Sequence, residues 1–286
     1  MTEQEIRAVV EKVLRELQTD APRGGSDAPE AESGALPDIS AVDIRRQYLV
    51  DNPHDQAAFL AMKERTPARI GVGHAGARYR TETMLRFQAD HAAAQDAVFS
   101  DVPDDFLQQM GWPEFQTTCE NREEFLTRPD KGRTFSADTL QKIKGIIPSG
   151  TQVVLYVADG LSSSAVHANA ANILPVIQEG LRGAGLKVSD PFFVRFGRVA
   201  TQDQIGEATG ADVVCVLLGE RPGLVTAESM SAYIAYKPTV GMAESRRTVL
   251  ANIHRGGTPA VEAGAHIVDL IQLMLQKKAS GTDLPI

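Results

Sequence analysis

An acid and a base stand side by side at the end of an apolar run, and together they could bind a polar ligand. The stretch VVCVLLGERPGL, residues 213–224, passes from Val, Leu and Cys into Gly219 and then into Glu220 and Arg221. The apolar run predicts a buried strand, and the Pro-Gly pair that follows predicts an exposed turn. Glu220 and Arg221 could form a solvated ion pair of little energetic weight or contact a ligand at the mouth of the strand.

A second polar cluster follows another apolar run. In ADGLSSSAV, residues 158–166, Asp159 comes directly after a predicted strand and three serines, Ser162 to Ser164, come before a predicted helix. The serines could cap that helix, or the free N–H groups of its first turn could meet a phosphate or a hydroxyl-rich ligand. A nucleophilic serine is disfavoured because the G-x-S-x-G elbow is absent and no histidine is placed as its base.

Two histidines complete the candidates. His254 lies in a predicted loop, NIHRGGTP, where it could contact a ligand, whereas His266 falls within the apolar pattern of the last helix and is expected to lie in the core or at an interface. No pair of histidines has metal-ligand spacing on one predicted element, so the sequence predicts neither a metal site nor a catalytic residue in this chain.

The glycine pattern GVGHAG, residues 71–76, matches G-x-G-x-x-G but lacks the context of a dinucleotide site. The residues before it, KERTPAR, are polar and contain Pro67, so no strand leads into the glycines. The pattern instead predicts a tight turn that carries His74, Arg78 and Arg80 towards the start of a helix. Such a turn could be purely structural, or it could hold an anion or a carboxylate of a partner.

Composition bounds the class of protein. The chain has 286 residues and a formal net charge of −8, which argues against general affinity for nucleic acid or anionic membranes. No apolar run is long enough for a membrane span, and no signal-peptide pattern opens the chain. The two cysteines, Cys119 and Cys215, are too few and too far apart for a disulfide framework or a zinc site, which fits a reducing cytoplasm.

Four segments are predicted along the chain. Residues 1–18 contain an amphipathic helix over 2–18, either a docking peptide for a partner or a helix that folds back on its own domain. Residues 19–38 are rich in Pro, Gly, Ser and Ala and predict a flexible linker. Residues 39–149 predict a smaller, mainly helical region, with SAVDIRRQYLV among its helices, and residues 150–286 an α/β domain.

The last segment alternates strands and helices, which predicts a Rossmann-like α/β fold: a mostly parallel sheet with flanking helices. The strand around Pro191 is expected to be broken or to lie at an edge of the sheet. Four strand-ending turns are expected to share one rim, because ligands in such sheets bind at the carboxyl ends of the strands. These turns are the Asp159 turn and residues 196–200, 219–224 and 252–259.

Several long motifs give the chain a family resemblance. FFVRFGRVATQDQIGEATGADVVCVLLGERPGL, AESMSAYIAY and NIHRGGTPAVEAGAHIVDLIQLMLQKKASG occur in order, and ARIGVGHAGARYRTETMLRFQADHAAAQDAVFSDVP and VADGLSSSAVHANAANILPVIQEGL lie upstream. Over roughly residues 40–281 the chain closely resembles the small subunits of ethanolamine ammonia-lyase.

The resemblance implies an adenosylcobalamin-dependent ammonia-lyase that converts ethanolamine to acetaldehyde and ammonia. In that family the large subunit carries the substrate-binding and radical-handling residues, and the cobalamin is clamped between the two subunits in a hexamer of large–small pairs. It also implies base-on cobalamin, in keeping with the absence of a D-x-H-x-x-G motif from this chain.

By the same resemblance, the cobalamin contacts fall on Val199 in GRVAT, Glu220 in GERPGL, and Val249, the residue after RT. The family can carry a cysteine at the last position, so a sulfur contact is not expected there, whereas a backbone contact is. Asp159 and the serines after it are secondary candidates.

Residues 2–18 resemble the family's targeting peptide, which implies a cytoplasmic location within a bacterial ethanolamine-utilisation microcompartment, through contact with its shell or core. Two alternatives stay open from the sequence: a stand-alone nucleotide-dependent oxidoreductase that uses GVGHAG, and a non-catalytic microcompartment adaptor that acts through residues 2–18.

Overall fold

A computed structural model describes residues 38–285, and the predicted helix over 2–18 lies outside the described residues. Ile39–Ala41 form a single 3-10 turn, and from Val42 onward the described chain forms one compact unit. Its α-helices are α1 (Gln56–Lys63), α2 (Thr81–Phe99), α3 (Asp104–Met110), α4 (Arg122–Thr127), α5 (Ala137–Ile146), α6 (Ser163–Gly183), α7 (Thr201–Thr209) and α8 (Ala260–Lys277). Its strands are β1 (His74–Ala75), β2 (Arg78–Tyr79), β3 (Glu114–Gln116), β4 (Val153–Ala158), β5 (Phe192–Arg195), β6 (Val213–Gly219), β7 (Met230–Tyr236) and β8 (Thr248–Ile253).

Six of these strands form one sheet in the order β3-β5-β4-β6-β7-β8. The first four are parallel to one another, β7 runs antiparallel to β6, and β8 runs antiparallel to β7. The predicted α/β class, with a mostly parallel sheet, flanking helices and a helical N-terminal region, is confirmed. The boundary placed between residues 149 and 150 stays a prediction.

Helices cover both faces of the sheet, which explains why β4 is apolar at every position instead of alternating with polar residues. All six residues of β4 are buried. One face packs on α6 and α8, through Val153, Leu155, Val157, Ile173, Ile177, Ile267 and Ile271. The other face packs on α5 and α7, through Val154, Tyr156, Ala158, Ile143 and Ile205.

The sheet differs from the prediction around Pro191. The strand is broken there, as expected: Val188 makes an isolated bridge with Val153, and β5 starts only at Phe192. However, β5 is not an edge strand, because the three residues of β3 pair with its outer side. Pro191 is tolerated because it precedes the ladder, where a missing N–H costs no strand pairing.

The N-terminal region also differs from the prediction in one helix. The apolar spacing of SAVDIRRQYLV predicted a helix, but no α-helix forms between Val42 and Asp55. Tyr48 packs edge-on against Phe59 of α1, with ring centroids 5.2 Å apart, and the Leu49 N–H donates to the Gly71 carbonyl over 3.0 Å. These long-range contacts hold the segment without the hydrogen bonds of a helix. Within residues 38–285, no helix is both long and apolar enough to cross a membrane.

Candidate functional site

Four loops gather at the carboxyl edge of the sheet, and we call them the rim: residues 159–162, 196–200, 220–229 and 252–259. The parallel pairing of β5, β4 and β6 brings the first three loops to one edge. The fourth loop lies at the same edge because β7 runs antiparallel to β6 and β8 runs antiparallel to β7. The strand β8 therefore points in the same direction as β6. The predicted convergence of these turns is therefore confirmed.

Two glycines allow two rim loops to touch through their backbones. A Cβ on Gly219 would lie 2.1 Å from the Ser162 carbonyl oxygen, and a Cβ on Gly160 would lie 2.4 Å from the Gly219 carbonyl oxygen. Gly160 also has a φ of 57°, which favours glycine. The Leu161 N–H donates to the Gly219 carbonyl over 3.0 Å. The ends of β4 and β6 are thus fixed against each other.

Glu220 binds three neighbours on the rim. Its Oε2 accepts from the Ser229 hydroxyl over 2.8 Å, and its Oε1 accepts from the Asn252 N–H over 2.9 Å and from the Ser231 hydroxyl. This half-buried carboxylate therefore joins the end of β6 to the start of β7 and the end of β8. A carboxylate has about four acceptor positions, so roughly one is left for a ligand. Arg221 is exposed and forms no ion pair with Glu220.

His254 is held by the loop that contains it. Its Nδ1 accepts from the Gly256 N–H over 3.0 Å, which leaves Nε2 to carry the proton and donate to Asn252 Oδ1 over 2.8 Å. Asn252 has a φ of 63°, a left-handed conformation that asparagine adopts more readily than most residues. With both ring nitrogens in use, His254 shapes the loop, and the predicted ligand contact through its ring is not supported.

Asp159 is a buried anchor and not a ligand-facing acid. Its side chain is 1% exposed, its Oδ2 accepts from the Arg122 guanidinium over 3.0 Å, and its Oδ1 accepts from the Gly197 N–H over 3.1 Å. Burial raises the pKa of the Asp159 carboxyl above its ordinary value, and the charge of Arg122 opposes that shift. Asp159 therefore ties the loop after β4 to the loop after β5.

Arg122, which the sequence did not single out, connects this anchor to the end of α2. Its guanidinium also donates to Asp101 over 2.7 Å, to the Ser100 carbonyl over 3.1 Å and to the Gly160 carbonyl over 3.2 Å. These partners lie 21 to 38 residues away in sequence, so no local spacing marks Arg122 as part of the rim.

The serines after Asp159 follow the capping interpretation. Ser162 Oγ accepts from the Ala165 N–H over 3.1 Å and donates to the Ala227 carbonyl, and Ser163 Oγ donates to the Ser100 carbonyl over 2.6 Å. Both side chains are buried. The two serines stabilise the start of α6 and hold it against neighbouring loops. A ligand could bind their hydroxyl groups only by displacing these hydrogen bonds.

The turn that leads to Val199 begins at a strained residue. Phe196 is buried yet has a φ of 57°, which is rare for a bulky side chain and is found where the surroundings impose it. Its ring stacks on Phe125, with centroids 6.0 Å apart, and its carbonyl accepts from the Thr117 hydroxyl over 3.0 Å. The half-buried Val199 follows, and its carbonyl accepts from the Gln202 N–H over 3.1 Å as α7 starts.

The structure brings two of the three predicted cobalamin contacts to the rim. Val199 and Glu220 lie in rim loops, whereas Val249 lies within β8, where it pairs with Tyr233 and is 45% exposed. A buried ion pair connects the helix after Val199 with the strand that carries Val249. Arg247, directly before β8, binds Asp203 of α7. That pair is a positioning feature that the sequence analysis missed.

The cysteines are free and buried. Burial raises the pKa of Cys215 to about 12 and raises that of Cys119 as well. Both therefore stay protonated, and Cys215 packs in the core of the sheet. Within the described part of the chain, no three His, Cys, Asp or Glu residues cluster as a metal site would require.

Comparisons with known proteins give one consistent match. Residues 56–285 match the family described as "Ethanolamine ammonia-lyase light chain (EutC)". The chain is 57% identical to the ethanolamine ammonia-lyase small subunit of Clostridium tetani, over all of this chain and 99% of that protein. It is 56% identical to the small subunit of Clostridium perfringens, over 96% of this chain and 91% of that protein, and 51% identical to that of Clostridioides difficile, over 99% and 100%.

Proposed function

The chain belongs to the family of ethanolamine ammonia-lyase light chains, or small subunits, and on that premise we propose that it holds adenosylcobalamin against the large subunit of the enzyme. The complex would convert ethanolamine to acetaldehyde and ammonia. The observation that carries the proposal is the rim itself: two of the residues implied by the resemblance, Val199 and Glu220, lie in loops that follow the two strands flanking β4, and both loops are hydrogen-bonded to the loop after β4.

The residues on the rim fit a large cofactor with an apolar body and amide-bearing edges. Glu220 keeps about one acceptor position, which suits an amide N–H. Leu224, Val225 and Val249 are 39%, 60% and 45% exposed and can cover apolar surface. Among the described residues, neither Glu220 nor Arg221 forms an ion pair that such a ligand would have to break.

The bound cofactor supplies the radical chemistry, through the reactivity of its cobalt–carbon bond. This chain contributes position and exclusion of water. Glu220 orients a polar edge of the ligand, the backbone around Val199 and Val249 contacts its surface, and the close contact between Gly160 and Gly219 leaves little room for solvent under the loops. We assign no catalytic residue to this chain.

Reconstitution with the large subunit tests the proposal. Neither chain alone should release acetaldehyde from ethanolamine, whereas the co-expressed pair should do so only after adenosylcobalamin is added. Deamination by this chain alone would refute the clamp function. A complex that forms but never binds cobalamin would refute it as well.

The assembly and its location are also proposals. We propose a hexamer of large–small pairs that is recruited to a microcompartment in the cytoplasm through residues 2–18. Deleting those residues should preserve deamination by the purified complex and alter its location or solubility. The adaptor alternative predicts instead that the deletion abolishes the protein's contribution.

The oxidoreductase alternative finds little support. No strand leads into GVGHAG. Its residues His74 and Ala75 instead form β1, which pairs with β2 so that His74 lies opposite Tyr79. Arg80 binds Asp51, and its Nε–H donates to the His74 carbonyl. The guanidinium of Arg80 is therefore already bound within the protein. The structural-turn interpretation of this motif is therefore favoured, and no specific observation favours nucleotide binding.

A further inference from the structure

A cavity of about 330 Å³ opens between α2 and the rim, beside Arg198 and Arg221. Both polar and apolar side chains line it. The polar side chains are His91, Gln95, Arg198 and Arg221. The apolar side chains include Phe99, Leu126, Leu161 and Pro222. Phe99 is 62% exposed, so its ring is free to contact a ligand that enters the cavity.

Arg198 is placed at this cavity without a carboxylate among the described residues. Its Nη2 donates to the Phe125 carbonyl over 2.7 Å, and its guanidinium lies 4.5 Å from the centre of the Phe125 ring. Its Nε–H is buried and has no acceptor within residues 38–285. Burying a donor without an acceptor is unfavourable, so a bound acceptor would be favoured there.

Two more arginines add to the positive charge. Burial lowers the pKa of Arg198, and the charges of Arg133 and Arg221 lower it further. Neither Arg133 nor Arg221 forms an ion pair in the described part of the chain, and both are exposed. Three guanidinium groups thus share one region of a chain whose net charge is −8. The three like charges repel one another, and a bound anion would relieve that repulsion. Guanidinium groups match the oxygens of a phosphate particularly well.

We propose that this arginine cavity, lined by Arg198 and Arg221 and supported by Arg133, binds the phosphate group of an organic ligand, with the ligand's apolar part against Phe99 and Leu161. The phosphate could be that of a free phosphate ester or the phosphodiester in the nucleotide tail of cobalamin. The second source rests on the proposed function, whereas the anion site itself does not.

Titration of the full chain with inorganic phosphate, followed by the ³¹P resonance linewidth, tests the site. We expect saturable broadening for the wild type and at least a tenfold weaker apparent affinity for Arg198→Gln and Arg221→Gln. Arg65→Gln removes the same charge from an exposed position outside the cavity and should bind phosphate as the wild type does. Arg221 is exposed, so its variant should fold even if Arg198→Gln does not.

Competition distinguishes the two sources. If the site takes the cofactor's phosphodiester, cobalamin should displace phosphate from the chain or its complex, and Arg221→Gln should weaken the binding of cobalamin but not that of cobinamide, which lacks the nucleotide tail. If the site takes a free phosphate ester, phosphate and cobalamin should bind together.

Absence of saturable phosphate binding, or equal loss in Arg65→Gln, would overturn the proposal. So would a result in which the Arg198 and Arg221 variants weaken only the association with the large subunit, because the arginines would then meet carboxylates of a protein partner. Failure of the deamination test would leave the phosphate titration interpretable, so the two proposals can fail separately.

Discussion

Both carboxylate oxygens of Asp203 accept hydrogen bonds from the guanidinium of Arg247, over 2.8 and 3.1 Å, and the Arg247 side chain is only 1% exposed. The pair spans 44 residues and joins the first turn of α7 to the start of β8. It therefore fixes the helix that follows Val199 relative to the strand that carries Val249.

Asp203→Asn should lower the free energy of unfolding by about 3 kcal/mol, because it leaves a buried guanidinium without its main counter-charge. Urea denaturation of the purified chain measures this loss. Asp190→Asn is the control: Asp190 pairs with Arg182 at an exposed site and should change the free energy by less than about 1 kcal/mol. Equal effects of the two variants would show that the Asp203 pair does not organise the fold.

Gly219→Ala should destabilise the chain by about 3 kcal/mol, since the new Cβ would lie 2.1 Å from one carbonyl oxygen and 2.6 Å from another, both on a neighbouring loop. Gly223→Ala, four residues later, meets no atom within 4 Å and should stay within about 0.5 kcal/mol of the wild type. Thermal unfolding of the two variants side by side provides the measurement. A tolerated Gly219→Ala would mean that the loops after β4 and β6 are not in backbone contact.

The sheet and its rim were predictable because each strand-ending turn follows an apolar run long enough to identify. The strand β3 was not, since its three residues, Glu114 to Gln116, carry no pattern and are ordered by β5. The helix predicted over SAVDIRRQYLV does not form, for a related reason. The apolar side chain of Tyr48 contacts α1, a partner that periodicity cannot identify.

The candidate site was predictable in position but not in detail. Asp159 and Glu220 were found because acids after core strands are conspicuous. What they bind was not foreseeable: the partner of Asp159, Arg122, lies 37 residues upstream, and Glu220 binds Asn252, 32 residues downstream. Contacts between loops of different strands depend on the order of the strands in the sheet, which local sequence does not encode.

Cys119 and Cys215 should resist a thiol reagent in the folded chain. Both are almost fully buried, and a Cys215 pKa of about 12 leaves almost no thiolate at pH 8. Because the folded-state pKa is raised, the fraction of reactive thiolate should stay low as the pH rises towards that value. Titration with a chromogenic disulfide reagent should count no fast thiol in buffer and two in urea. Rapid labelling of Cys215 without denaturant would contradict its burial in β6.

Glu220→Ala should weaken cobalamin binding by the reconstituted complex about ten- to a hundredfold, the equivalent of roughly 1.5–3 kcal/mol for a hydrogen bond to a charged group. The loss has two sources: the acceptor offered to the ligand, and the three bonds by which Glu220 holds β7 and β8 in place. Spectrophotometric titration with cobalamin measures the affinity, and the KM for ethanolamine should change far less.

Two further variants separate these sources. Glu228→Ala removes an exposed acid from the same loop and should leave cobalamin affinity unchanged. Glu220→Gln keeps one acceptor oxygen but places an amide N–H₂ either against the Ser229 hydroxyl or against the Ser231 hydroxyl and the Asn252 N–H, so it should lose stability in the free chain as well as affinity. If Glu220→Gln lost stability and kept full cobalamin affinity, Glu220 would be a structural clamp between strands and its assignment as a cofactor contact would be wrong.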